Sequence, residues 1–283
     1  MSIDKLYESV KDKGPVCVGL DPNLQHIPEI FDNYSSIEDK LFFYNKAIID
    51  STYDLTACYK PQLAYYEALG IDGLKALKRT NEYIRNKGGL IINDAKRGDI
   101  STTASAYARA FFEGDLEGDI LTLSPYMGLD SIEPYLEYID SKDKGVFVII
   151  KTSNKGSADF EEIDVNGEPL YAIVGKKIVN MNGNSVGKHG YRKIGFVIGA
   201  TNKKENEGEY IRNLFKDTFF LIPGYGAQGG AAKDVMGLLV DGNGGVVNSS
   251  RGIIRAFEKS EKDFDIATRE AVIKMREDFY VGL

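Results

Sequence analysis

The sequence contains few of the residues from which proteins build metal sites and disulfides. Its only histidines are His26 and His189. Neither lies within helical reach of another strong ligand set, so a zinc site built on histidine is not expected. The only cysteines, Cys17 and Cys58, lie inside apolar runs, and we expect both thiols to be buried and inert in a reducing cytosol. The composition therefore predicts neither a metal ion nor a structural disulfide.

Positive charge and long apolar stretches are also scarce. Lys and Arg number 35 against 42 Asp and Glu, which gives a formal net charge of −7 at pH 7. Nucleic acids and anionic membranes bind to a basic face, so neither is an expected partner, and an anionic small substrate would need a local positive site. Neither a signal peptide nor a membrane-spanning apolar stretch is recognisable, which predicts a cytoplasmic protein.

Short apolar runs alternate with amphipathic segments along the 283 residues. The runs are rich in Val, Ile, Leu and Phe, and few of them alternate polar with apolar residues. This pattern is typical of strands buried on both faces of a parallel sheet. Eight runs fit the description, at residues 15–20, 55–60, 89–93, 119–123, 145–150, 194–200, 218–223 and 244–250. Because helix-like segments separate them, the sequence predicts a (β/α)8 TIM barrel, an α/β fold.

One region departs from this alternation. Between residues 155 and 193, glycine, asparagine and charged residues accumulate around a helix-like stretch, LYAIVGKKIVN. The region is too short to build a hydrophobic core of its own. We therefore expect residues 1–283 to form a single barrel domain, with an insertion around 155–193.

Charged residues cluster where the predicted strands end. Asp21 follows the first strand, Lys60 ends the second, and the third is followed by a dense group: Asp94, Lys96 and Asp99. Desolvating an ion costs several kcal/mol unless it is paired, so charge concentrated here indicates catalysis or binding. The active site of a barrel lies at the carboxyl ends of its strands. Asp94 and Lys96 are two residues apart, so a strand that continued to Lys96 would point both side chains over the barrel mouth.

Structural roles would also account for these charges. Asp99 stands just before a helix expected to start near Ser101, where an acid could cap the helix or interact favourably with its dipole. Lys60 could pair with a carboxylate at the barrel rim, and the strand-end charges together could form a purely structural ion network. The sequence alone leaves these alternatives open.

A glycine-rich turn, PGYGAQGG, follows the seventh predicted strand at residues 223–230. Gly224, Gly226 and Gly229 match the spacing of a dinucleotide fingerprint, but such a fingerprint belongs in an early βαβ unit followed by an acidic strand end. Here it comes in the last quarter of the chain, and the next strand ends in SSRG, which contains Arg251. An arginine beside a glycine-rich turn indicates a phosphate site, although a plain tight turn would contain the same glycines.

These motifs together resemble one family. The pattern DxKxxDI at residues 94–100 with Thr103 one helical turn later, the lysine of YKPQLAYYE, the VGLDPN strand end, PGYGAQGG and SSRG are similar to the orotidine 5′-monophosphate decarboxylases, specifically to their longer bacterial subgroup. The resemblance covers residues 16–255. It implies a homodimer of (β/α)8 barrels, without metal or cofactor, that converts orotidine 5′-monophosphate to uridine 5′-monophosphate and carbon dioxide in de novo pyrimidine biosynthesis.

The same resemblance implies a role for each matched residue. Lys96 would be the proton donor in a charge network with Lys60 and Asp94, and Asp99 would enter the site of the neighbouring subunit. The substrate-binding residues would be Asp21 with Lys60 at the ribose hydroxyls, Thr103 on the ribose side, Ser153 at the pyrimidine, Gln228 and Arg251 at the phosphate, and in addition Ile100, Pro223 and Ser250. The insertion at 155–193 is where the chain departs from the family pattern.

The implied reaction needs charges of this kind. Loss of carbon dioxide leaves a carbanion in the ring plane with no neighbouring carbonyl or imine to delocalise it, so a placed positive charge must stabilise it. Lys96 could supply that charge and then the proton, and Asp94 would keep Lys96 protonated.

Three other functions are alternatives. A magnesium-dependent decarboxylase of keto-sugar phosphates on the same scaffold would need a carboxylate where Lys60 stands. A Schiff-base aldolase would need a lysine in an apolar pocket, whereas Lys96 has acids nearby. A binding protein for phosphate ligands would keep Arg251 but would have no use for Asp94 and Lys96 together.

Overall fold

The computed structural model describes residues 1–181, 183–200, 206–226 and 235–280, and it contains an eight-stranded parallel sheet that curves into a barrel. The strands are β1 (Val16–Leu20), β2 (Cys58–Pro61), β3 (Ile92–Arg97), β4 (Ile120–Leu123), β5 (Gly145–Lys151), β6 (Ile194–Ile198), β7 (Phe220–Ile222) and β8 (Gly245–Ser249). Their order is β2-β1-β8-β7-β6-β5-β4-β3. Two parallel bridges, Tyr59 with Ile91 and Gln62 with Asp94, join the end strands β2 and β3 across the remaining seam.

Helices connect successive strands on the outside of the barrel. The described helices are α1 (Ser2–Lys13), α2 (Ile37–Thr52), α3 (Leu63–Glu67), α4 (Gly70–Asn86), α5 (Ser101–Phe112), α6 (Glu133–Ser141), α7 (Ser157–Phe160), α8 (Leu170–Val179), α9 (Glu207–Leu214), α10 (Arg251–Ile254) and α11 (Phe264–Tyr280). Within the described ranges, none of them is both long and apolar enough to cross a bilayer.

The eight predicted strands are all present, which confirms the (β/α)8 barrel. The differences lie at strand ends. The predicted strand at 55–60 begins only at Cys58, because Tyr53–Leu55 forms a 3-10 turn. The predicted strand at 89–93 instead runs as β3 to Arg97. Its last residues are charged, so the apolar pattern from which strands are predicted stops before the strand does.

Apolar side chains fill the barrel from its amino end. The interior cluster contains residues from the inward faces of the strands, including Cys17, Phe147, Val197, Leu221 and Val246. Three residues of α1 join the same cluster, namely Ile3, Leu6 and Val10. Because α1 ends just before β1 begins, it covers the amino end of the barrel and leaves the carboxyl end open. The outward faces of the strands pack against the surrounding helices.

The two cysteines face each other on neighbouring strands. Cys17 of β1 is paired in register with Cys58 of β2, and both are buried free thiols. Burial raises the pKa of Cys58 well above its usual value. Because the thiolate is the reactive form, this agrees with the prediction of buried, inert thiols.

The predicted insertion is only partly additional to the barrel. It begins with α7 and a two-stranded hairpin, Asp164–Val165 with Glu168–Pro169, and it then leads into α8. α8 contacts both β5 and β6, so it occupies the place of the helix that normally connects those strands. The extra structure before this helix is therefore α7 and the hairpin. That the whole chain is one domain stays a prediction.

A buried arginine ties together the loops at the amino ends of β7 and β8. Nε of Arg212 donates to the carbonyl of Leu238 at 2.9 Å, and Nη1 donates to those of Phe215 and Thr218 at 3.1 and 2.7 Å. Nη2 donates to the carbonyl of Gly244 at 2.9 Å. Burial lowers the pKa of Arg212 to about 10. The guanidinium thus replaces its hydration with backbone carbonyls.

We expect Arg212→Leu to lower the free energy of unfolding by about 3 kcal/mol or more, because several buried carbonyls lose their donor. Arg269→Leu is a matched control, since Arg269 pairs with Asp54 near the surface and its loss should cost at most about 1 kcal/mol. Urea denaturation followed by circular dichroism measures both. Equal losses in the two variants would contradict this role of Arg212.

Candidate active site

A pocket of about 290 Å³ opens at the carboxyl ends of the strands, where the sequence predicts the site. Of the predicted site residues within the described ranges, those that line it are Asp21, Lys60, Asp94, Lys96, Ser153, Pro223, Ser250 and Arg251. Ile149, Val197 and Leu221 add apolar surface. The pocket therefore combines paired charges with an apolar wall, a composition that suits a planar, charged ligand.

Asp94 lies at the centre of the charged cluster. Lys60 Nζ contacts its Oδ2 at 2.8 Å, and Lys96 Nζ contacts its Oδ1 at 2.6 Å. Two neutral side chains also donate to it, Gln62 Nε2 to Oδ2 at 2.8 Å and the Thr122 hydroxyl to Oδ1 at 3.0 Å. Both carboxylate oxygens thus receive a cation and a neutral donor, which compensates for the lost hydration.

These contacts determine the protonation states of Asp94 and Lys60, the two buried residues of the cluster. Burial on its own would raise the pKa of Asp94, but the charges of Lys60 and Lys96 outweigh it and hold that pKa well below its usual range. Burial on its own would lower the pKa of Lys60. The negative charges of Asp94 and Asp21 outweigh this effect and raise the pKa of Lys60 above its usual value. At neutral pH the cluster therefore contains an ionised carboxylate and a protonated lysine.

Lys96 reaches Asp94 in a way that the strand pattern does not predict. The register of β3 shifts between Asn93 and Arg97, and Lys96 has a φ of +49° within this irregular stretch. The side chains of this stretch therefore do not alternate as in a regular strand, and that expectation is wrong in detail. The side chains of Asp94 and Lys96 nevertheless contact each other. The Lys96 N–H donates to the Thr122 hydroxyl at 2.9 Å, which holds this left-handed residue in place.

Asp21 occupies the mouth of the pocket next to this cluster. Burial raises its pKa, although Lys60 and the Ser250 hydroxyl act in the opposite direction. Its Oδ1 is buried and has no hydrogen-bond partner among the described residues.

The glycine-rich turn and Arg251 lie on the same pocket. Pro223 and Gly224 follow β7, and Arg251 begins α10 directly after Ser250. Gly224 has a φ of +100°, a backbone conformation that favours glycine. The sequence also predicts Gln228 in this group, but Gln228 lies outside the described residues. Within the described ranges, the start of the turn and Arg251 line one pocket, and its use as a phosphate site stays a prediction.

Three predicted residues do not line the pocket of their own chain. Asp99, Ile100 and Thr103 lie beyond the end of β3 and in α5, and the Ile100 side chain is 40% exposed. The helix begins at Ser101 with Ile100 at its N-cap and has no side-chain capping bond. Asp99 accepts instead from the N–H of Ile100 at 2.9 Å. The capping alternative for Asp99 is therefore wrong.

The sequence analysis missed Gln62 and Thr122. Gln62 is two residues after Lys60, so the two-residue period of a strand places it on the same side. Thr122 is the one polar residue of an otherwise apolar strand, ILTL, and a buried polar group needs a partner. Both signals were present. Among the residues that the structure describes, no group of three or more His, Cys, Asp or Glu side chains is placed to hold a metal ion.

Comparison with known proteins identifies the family. Residues 14–262 match the sequence model described as "Orotidine 5'-phosphate decarboxylase / HUMPS family". The chain belongs to this family. The resemblance predicted from the strand-end motifs is thereby confirmed.

Individual members of the orotidine 5′-phosphate decarboxylase family match over nearly their whole length. A Clostridium tetani protein of that name is 55% identical over 282 residues, which cover 98% of this chain and 97% of the relative. A Clostridium novyi protein of that name is 53% identical over 281 residues, which cover 98% and 97%. The solved structure of Leishmania donovani OMP decarboxylase is 32% identical, with a TM-score of 0.79 over 99% of this chain and 98% of that one.

We expect Thr122→Val to lower the free energy of unfolding by about 1 to 3 kcal/mol, because the Lys96 N–H loses its partner and buried Asp94 loses a donor. Thr268→Val is the matched control, since the buried hydroxyl of Thr268 has no partner within the described part of the chain. Its replacement should leave the free energy of unfolding unchanged or raise it, because a buried hydroxyl without a partner is itself unfavourable. Urea denaturation compares the two. A Thr122→Val variant as stable as Thr268→Val would remove Thr122 from the network.

Proposed function

We propose that this chain is an orotidine 5′-phosphate decarboxylase that converts orotidylate to uridylate and carbon dioxide. The observation that carries the proposal is the contact of Lys96 with buried, ionised Asp94 at 2.6 Å, in a pocket that also contains Arg251. The names of the relatives support the same reaction.

Lys96 is the proposed proton donor. The departing carbon dioxide leaves a carbanion, which a cation beside the ring stabilises. Two opposite charges about 4 Å apart interact by roughly 4 kcal/mol at an effective dielectric constant near 20. Asp94 contacts Lys96 Nζ at 2.6 Å, and the half-exposed position of the Lys96 side chain leaves this nitrogen within reach of a ligand. Lys60 balances the charge of Asp94 from the buried side.

The remaining groups bind the rest of the substrate. Asp21 is the proposed acceptor for ribose hydroxyls, because it lines the pocket next to Lys60. Ser153 on the loop after β5 would contact the pyrimidine. The proposed phosphate site consists of Pro223, Gln228, Ser250 and Arg251. Binding energy from the phosphate can then hold the reacting carbon against Lys96, which contributes to the chemical step.

Asp99 is proposed to act in the site of a second subunit. It lies outside the pocket of its own chain and does not cap α5, and beside it Ile100 exposes an apolar side chain. A homodimer in which this edge meets the pocket of the partner would cover Ile100 and deliver Asp99. Thr103, which is exposed on α5, would approach the ribose in the same way. A cytoplasmic location is part of the same proposal.

The alternatives fit the geometry less well. A Schiff-base lysine needs a lowered pKa, whereas the pKa of Lys60 is raised. Lys96 is paired with Asp94, and buried Lys151 lies 3.4 Å from Glu207. The magnesium-dependent relative needs a carboxylate after β2, where Lys60 stands. A phosphate-binding protein has no use for the Asp94 cluster, whose burial costs energy.

The direct test mixes the purified chain with orotidylate and follows its ultraviolet absorbance. We expect the absorbance to fall in the wild type with or without exhaustive chelation, and at least about 100-fold more slowly in Lys96→Ala. Borohydride in the presence of substrate should trap nothing. No change in the wild type would overturn the proposed function. Loss of activity with EDTA that magnesium restores would favour the metal-dependent alternative.

The role of Asp99 is tested by mixing two inactive variants. Lys96→Ala and Asp99→Ala chains should regain activity after subunit exchange, because one site of each mixed dimer draws Lys96 and Asp99 from chains that still have them. Random exchange makes about half the dimers mixed, so activity should approach about a quarter of the wild-type value for independent sites. No recovery after demonstrated exchange would confine the active site to one chain.

A further inference from the structure

A carboxylate from the insertion holds the pocket loop that follows β5. Oε2 of Glu161 accepts from the backbone N–H of Thr152 at 2.7 Å. The Thr152 hydroxyl lies 2.9 and 3.1 Å from the two carboxylate oxygens and 2.7 Å from Oδ1 of Asn154, and its single proton is donated to one of these acceptors. Thr152, Ser153 and Asn154 are consecutive and all line the pocket. Glu161 therefore holds the first residue of this loop through its backbone N–H, and the carboxylate is also within hydrogen-bond distance of its hydroxyl.

Glu161 is itself anchored within the insertion. Its N–H donates to the carbonyl of Ser157 in α7 at 2.8 Å, and its carbonyl accepts from the N–H of Tyr171 in α8 at 2.9 Å. α8 packs against β5 and β6. The backbone of Glu161 is thus attached to the barrel through α8. Its carboxylate can therefore hold the loop in a fixed position relative to the barrel.

The other side of the loop lies against the end of β6. A Cβ atom added to Gly199 would come within 2.6 Å of the Ser153 nitrogen and 2.9 Å of its Cα, so the loop backbone leaves no room for a side chain there. The N–H of Gly199 donates to the carbonyl of Lys151 at 2.9 Å. The Thr152–Asn154 loop is therefore held between β6 and Glu161.

We propose that Glu161 is a positioning residue, which fixes the Thr152–Asn154 loop so that Ser153 is ready to contact the pyrimidine ring. The inference rests on the proposed function, in which Ser153 faces that ring. Glu161 acts through Thr152 and does not contact the substrate. Without the carboxylate, the loop has to be ordered when the ligand binds, and this cost reduces affinity for ligands that contain the base. On this account, α7 and the hairpin exist to supply the carboxylate.

A pair of ligands isolates this effect. Glu161→Ala should weaken the binding of uridylate about tenfold, as expected for lost charge-assisted hydrogen bonds. The binding of ribose 5-phosphate, which lacks the base, should stay within about twofold, because its groups contact other parts of the pocket. Titration calorimetry measures both. With orotidylate as substrate, KM should rise by the same factor as the uridylate Kd while kcat changes little, as for an interaction made equally in ground and transition states.

Two further variants serve as rescue and control. Glu161→Gln keeps an oxygen for the Thr152 N–H and an amide for its hydroxyl, so it should restore uridylate binding to within about threefold of the wild type. Asp159→Ala removes an exposed carboxylate from the same segment and should change neither ligand. Equal weakening of both ligands by Glu161→Ala, or unchanged uridylate binding, would overturn the proposal. If Glu161→Ala does not fold, Thr152→Val, which removes one of the two donors, should show the same selectivity at about threefold.

Failure of this inference is distinct from failure of the proposed function. If the wild-type chain does not decarboxylate orotidylate, the proposed function is wrong. The role of Glu161 is instead tested by comparing variants, and hydrogen exchange provides a measurement of this role that needs no substrate. The Thr152 amide should exchange faster in Glu161→Ala than in the wild type or Glu161→Gln. Equal protection in all three would show that Glu161 does not hold the loop.

Discussion

The buried carboxylate of Asp94 links the closure of the barrel to the charge of its pocket. Within the described residues, isolated bridges and not a continuous ladder join β2 to β3. Lys60 in β2 and Gln62 directly after it both donate to Asp94 in β3. Side-chain hydrogen bonds thus add to the backbone bridges that join these two strands. On the proposed function, catalysis and structure are not competing explanations for this cluster, because the same hydrogen bonds would serve both.

The lining of the pocket also reverses the sign of the chain's charge. The whole sequence has a formal net charge of −7, but Lys60, Lys96 and Arg251 outnumber Asp21 and Asp94 among the charged residues described at the pocket. An anionic ligand is thus attracted to one place on an otherwise acidic protein.

Sequence patterns predict those features that depend on strand and helix periodicity. The eight apolar runs predict the strands, and the residues directly after them predict most of the described pocket lining. The bulge at Lys96 is not predictable in this way, because it depends on a hydroxyl from β4 that is distant in sequence. The contact between Glu161 and Thr152 is not predictable from the sequence either, since the Gly- and Asn-rich insertion has no periodicity. For Asp99 the pattern allowed two roles, and only the position of the helix N-cap excluded one of them.

The described site residues divide between two halves of the barrel. The Asp94 cluster comes from β2, β3 and β4, whereas the proposed contacts to base and phosphate follow β5, β7 and β8. On the proposed function, the substrate bridges these halves, and binding energy gathered on one side positions the ring against a lysine held on the other. Such an arrangement can accommodate extra structure after β5, because none of the bonds around Asp94 involves α7 or the hairpin. The rigidity of the loop after β5 also matters in this arrangement. If the loop were flexible, part of the binding energy would be lost in ordering it and would not be available to position the substrate.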